Sequence, residues 1–205
     1  MTLHVFAVGD PDDPVLTAAF DAAVETDELK KIRAGDPEEL LSRLGELVAR
    51  LGPIDVLDIY DHGNPGEQAF GRPVQGEKPL LFKSDDSMSA PLTGVDPKRF
   101  DPLLGRHAQV RLIGCEVGAT SNTAVPRSVR TAGRALLLKL AHALGRQREV
   151  LASVVPVVAA AFDEHGFSDG PARESLYSSH AAWDGEPQDR IKSIALLKSL
   201  GFPPH

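Results

Sequence analysis

The chain has 205 residues, 42% hydrophobic and 25% charged, with a formal net charge of −7. That length suits one domain with a sizeable core, and the negative balance weighs against nucleic acid or an anionic membrane as the main partner. Cys115 is the only cysteine, so an intrachain disulfide is excluded.

Leu3–Val8 reads as a buried strand closed by Gly9-Asp10-Pro11. No basic stretch followed by a long apolar run opens the chain, so a signal peptide is not expected. No apolar run reaches the length of a membrane span, and a cytoplasmic location is the expectation. Val15–Val24 has helical spacing, and Glu28–Arg33 reads as a short edge strand. Pro37–Leu51 is the clearest helix. Asp36 suits the N-cap, Pro37 the first turn, and Glu38 and Glu39 the positive end of the dipole, while Gly52-Pro53 stops it. Leu40, Leu41, Leu44, Leu47, Val48 and Leu51 share one face.

Ile54–Tyr60 follows as a central strand, and Asp61–Gly66 as a turn-rich loop. The glycines of Gln68–Phe82 suggest a hairpin, Asp96–Leu104 a short helix, and Gln109–Gly114 a strand ending at Cys115. The long loop Glu116–Ser128 leads into a helix over Val129–Leu144. Val150–Val155 is a strand, Val157–Phe162 continues it or pairs with it, and Pro187–Leu200 is a last helix. Strands alternating with helices predict an α/β fold. The expected form is a three-layer sandwich with a mostly parallel central sheet and helices on both faces, in a single domain over 1–205.

In an open parallel sheet, functional groups collect beyond the carboxyl ends of the strands. His62 follows the strand Ile54–Tyr60, and Cys115 follows Val110–Gly114. A thiolate is a nucleophile, and a nearby imidazole can take the thiol proton and later return it. Gly63 and Gly114 let the backbone approach a substrate, and the N–H groups of Gly63 and Cys115 are candidates for an oxyanion hole.

An apolar strand ending in His62-Gly63, then roughly fifty residues later one ending in Gly114-Cys115, resembles the caspase-like superfamily of cysteine peptidases (clan CD). Leu112-Ile113-Gly114-Cys115-Glu116-Val117-Gly118 lacks the Gln-Ala-Cys of true caspases and is closer to bacterial CHAT-type domains. The resemblance implies a cysteine endopeptidase acting on a peptide or protein substrate through a thioester acyl-enzyme. His62 and Cys115 would form its dyad, with no cofactor. The alternatives are an inactive caspase-like module that binds or regulates a protein partner, and another hydrolase or a metal-dependent enzyme on a similar sheet.

Each residue also has a plainer reading. Cys115 alone suits a small core hydrophobe, and His62 a turn residue bonded to backbone. Asp61, Glu116 and Ser153 are candidates for substrate contact, the first two otherwise being loop carboxylates. Asp58 lies in a buried strand and calls for a partner. His165-Gly166 competes with His62 as the partner of Cys115. No CxxC or HxxxH spacing supports a metal site, and no GxxxxGK or GxGxxG loop supports a nucleotide site.

Overall fold

The computed structural model describes residues 2–85, 89–119, 132–145, 147–167 and 175–184. Its frame is a six-stranded sheet. In chain order the strands are β1 (His4–Val8), β2 (Leu29–Arg33), β3 (Ile54–Tyr60), β8 (Leu104–Ile113), β9 (Glu149–Ser153) and β12 (Leu176–Ser178). Across the sheet the order is β12-β9-β8-β3-β1-β2, with β12 antiparallel and the other five parallel.

Helices cover both faces, giving the three-layer α/β arrangement that the alternation predicts. On one face lie α2 (Pro37–Leu51) and α3 (Ala132–Leu144), packed with Leu57, Ile59, Val110 and Leu112 from the sheet. On the other, α1 (Pro14–Ala22) covers Phe6, Val8, Tyr60 and Ile113 together with Phe162 and Phe167. The bounds of α2 follow from its ends. Asp36 Oδ1 accepts the Glu39 N–H at 2.8 Å, and Gly52, at φ 93°, gives its N–H to Val48. Leu40, Leu41, Leu44 and Leu47 turn inward, and burying each leucine contributes about 1.5–3 kcal/mol.

A four-stranded antiparallel sheet stands at the carboxyl edge of β3. It contains β4 (Gly63–Asn64), β5 (Glu67–Ala69), β6 (Leu80–Lys83) and β7 (Thr93–Gly94). The expected hairpin is its β5–β6 pair. The segment over Asp96–Leu104 is a 3-10 helix, Pro97–Leu103, capped by Asp96.

Val157–Phe162 departs from expectation. It does not extend β9 but forms a 3-10 turn at Ala159–Ala161, then β10 (Phe162–Asp163), which pairs with β11 (Gly166–Phe167). Pro156 has no N–H for a ladder, and the Ser153 hydroxyl donates to Val155 O at 2.6 Å, turning the chain at the strand end. The last element described is α4 (Ser179–Asp184). The expected helix over Pro187–Leu200, most of the loop Glu116–Ser128, and the start of the helix expected from Val129 lie outside the described residues.

Candidate functional site

Strand register sets the turns that carry His62 and Cys115 side by side. Tyr60 on β3 pairs with Ile113 on β8, and each candidate lies two residues beyond its member of that pair. The two turns touch. A Cβ on Gly63 would stand 3.3 Å from Gly114 Cα and 2.3 Å from Val117 Cγ2, and one on Gly114 would stand 3.0 Å from Asp61 O. Neither glycine has room for a side chain without movement.

The His62 ring is held from the other side. Asp13 Oδ1 caps α1, accepting the N–H groups of Val15 and Leu16 at 2.8 and 3.1 Å. Its Oδ2 meets His62 Nε2 at 2.8 Å. Burial opposes ionisation of Asp13, but the His62 hydrogen bond and the two helix N–H groups outweigh it and hold the carboxyl below its ordinary value. One carboxylate therefore caps a helix and orients an imidazole. His62 keeps 53% of its side chain exposed and borders a cavity of about 390 Å³ with Gly63, Asn64, Glu67, Lys78 and Lys83.

Asp61 faces inward and is 1% exposed. Its carboxylate accepts the N–H groups of His62 (2.6 Å) and Gly71 (2.7 Å) and the Lys78 ammonium (2.9 Å). Burial pushes this carboxyl above its ordinary value against those donors. Lys78 also meets Asp10 at 3.0 Å; burial works against its charge, yet the two carboxylates raise its pKa. Asp61 is thus spent on the hairpin connection rather than turned to a substrate. Ser153 is likewise buried, its hydroxyl on Val155 O.

Cys115 is half-buried, and its Sγ lies 4.0 Å from Val157 O. No hydrogen bond joins it to His62. Beside it the Tyr60 and Phe162 rings lie with centroids 4.3 Å apart and planes tilted by 38°, and burial, with the neighbouring Cys115, Asp13 and Asp61, pushes the Tyr60 phenol far up, so it stays protonated. Glu116 takes a left-handed φ of 58° and gives its N–H to Val155 O at 3.2 Å. The Ala69 N–H to His62 O bond makes Gly63 and Gln68 a non-hydrogen-bonded pair, so the Gly63 N–H points away from β5. His165 sits on the β10–β11 turn beside Glu164, 80% exposed.

Sequence reasoning passed over Asp13, Lys78 and Gln68. Asp13 alone left a signal, since Asp before Pro14 marks a helix start. Among the described residues no cluster of three or more His, Cys, Asp or Glu could hold a metal, and no helix is long and apolar enough to cross a membrane.

No protein-family model and no curated protein sequence matches the chain. The solved structures similar to it include a double mutant of Serratia marcescens short-chain dehydrogenase/reductase, at 15% identity over 70% of this chain and 72% of that one, with a TM-score of 0.34. Another is a small-chain dehydrogenase, at 12% identity over 70% and 78%, with a TM-score of 0.33. Likeness this weak carries no function across. The β1–α1 turn also reads Gly9-Asp10-Pro11-Asp12-Asp13-Pro14, placing carboxylates where a dinucleotide's pyrophosphate needs donors.

These findings correct the family expectation. The structures named are dehydrogenases, with no caspase-like protein among them, so the caspase-like family, the cysteine endopeptidase activity and its caspase-like and hydrolase alternatives are withdrawn. The physical reason is that His-Gly and Gly-Cys are dipeptides any strand-end turn can carry. They report a close approach of two backbones, which the structure contains, and not the chemistry of one family.

Proposed function

We propose that the paired strand ends form the working site of a thiol-dependent enzyme, with Cys115 as nucleophile and His62 as its proton carrier. The observation that supports this reading is the register of Tyr60 with Ile113, which puts the turns carrying His62 and Cys115 in contact. With Nε2 on Asp13, the ring keeps Nδ1 for the thiol proton. Transfer of that proton leaves a thiolate and an imidazolium, whose Nε2 faces the Asp13 carboxylate. The thiolate then adds to the carbon of a polarised double bond on the substrate: the C–S bond forms, the π bond breaks, and its electron pair moves to the far atom, which takes the proton from the His62 imidazolium.

Alkylation of Cys115 by iodoacetamide, followed by mass spectrometry across pH, tests the reading. At neutral pH the folded thiol should react roughly tenfold faster than the same thiol in the urea-unfolded chain, and His62→Gln should remove the difference. A folded thiol no faster than the unfolded one, or a His62→Gln variant as fast as the wild type, overturns it.

A further inference from the structure

Gln68, on β5, is wholly buried (0% exposed), and the two ends of its amide differ. Nε2 donates to Ala69 O at 2.9 Å and to His62 O at 3.4 Å, while Oε1 has no hydrogen-bond partner. Turning the amide over would set Oε1 against two carbonyl oxygens, so the hydrogen bonds fix its orientation. A buried acceptor left unpaired is costly and calls for a reason. Its location supplies one, because a Cβ on Gly114 would stand 3.0 Å from Oε1. One side chain therefore grips the main chain of His62 with one end and borders the Gly114–Cys115 turn with the other.

We propose that Gln68 is a positioning residue for the His62–Cys115 pair. Its Nε2 fixes the His62 main chain on the hairpin. Its bare Oε1 repels a carbonyl and attracts an N–H, which limits how the Gly114–Cys115 peptide can turn and so where Sγ points. This rests on the reading of the pair as a thiol site.

The test is the pH profile of Cys115 alkylation in Gln68→Met, which nearly conserves volume and removes both ends of the amide. The expected result is a roughly tenfold loss of rate at neutral pH, with the rate-against-pH profile approaching that of the urea-unfolded chain, while thermal stability changes by only a few degrees. Phe82→Leu, across from Gln68 on β6, is the packing control and should keep the wild-type profile. If Gln68→Met does not fold, Gln68→Asn, which keeps the amide but shortens its reach, is read the same way. A wild-type profile in the Gln68 variant, or the same profile change in Phe82→Leu, overturns the proposal. A wild-type thiol that is unreactive from the start fails the functional reading, whereas a reactive wild type matched by its Gln68 variant fails this inference alone.

Discussion

The same strands carry two ionic clusters, one within the sheet and one at its carboxyl edge. Inside the sheet, Asp58 on β3 and Arg111 on β8 are register partners, with His4 reaching in from β1. Both Asp58 oxygens are taken: Arg111 Nε and Nη2 donate to one each, the latter at 2.7 Å, and His4 Nε2 lies 2.8 Å from Oδ2. At the carboxyl edge, Asp61 is satisfied in the same manner, but its neighbours are not. Among the described residues, His62 is half-exposed with only its Nε2 in a hydrogen bond, Gln68 Oε1 is unpartnered, and Cys115 Sγ has one long contact. A closed cluster offers a substrate nothing, whereas the exposed His62 ring and the half-buried Cys115 thiol leave it something to meet. That contrast separates a structural ion pair from a candidate site.

Breaking the closed cluster should have the largest effect. Arg111→Met strands a buried carboxylate and should cost about 3–5 kcal/mol in urea denaturation, with Asp58→Asn added on top recovering part of the loss. For Asp58, burial opposes ionisation, but Arg111 and His4 outweigh it and hold the carboxyl below its ordinary value. Its contribution is therefore fully present above the unfolded value, ~3.9, and is lost as pH falls through the folded one. The double variant should lack that acid-side loss. A cost under about 1 kcal/mol for Arg111→Met would show that the cluster is not closed in this way.

Lys78→Met is the intermediate case. It removes the cation shared by Asp10 and Asp61 but leaves Asp61 its two backbone N–H donors, so the expected cost is about 1.5–3 kcal/mol. Because the lysine's folded pKa is raised, its contribution is present below the unfolded value of ~10.4 and disappears as pH rises through the folded one. A variant as stable as the wild type near neutral pH, showing no change in its alkaline limb, would sever Lys78 from the hairpin's anchorage.

The sheet and α2 were legible because apolar spacing and capping residues act locally: Asp36, Gly52 and the leucine face of α2 stand where the sequence places them. So was the need of Asp58 for a partner. The partner itself was not, since register between β3 and β8 is set by packing over the whole strand pair. The same holds at the site. His62 and Cys115 could be marked as strand-end residues, but Lys78 and Gln68 come from a hairpin whose docking no local pattern announces. The chemistry was over-read, because short motifs at strand ends describe backbone approach more strongly than they describe a family.

Asp13 gives the smallest stability effect and the sharpest division of roles. Asparagine caps helices about as well as aspartate, so Asp13→Asn should change stability by no more than about 0.5 kcal/mol, while Asp13→Ala should lose about 1 kcal/mol through the open helix end. Both variants remove the carboxylate that meets His62 Nε2, so both should slow Cys115 alkylation at neutral pH several-fold and to the same extent. Equal stability losses in the two would mean that the cap depends on charge rather than on an acceptor oxygen. An unchanged alkylation rate in Asp13→Asn would mean that the carboxylate orients a ring the thiol never uses, leaving the carboxyl edge with a second closed cluster like the one within the sheet.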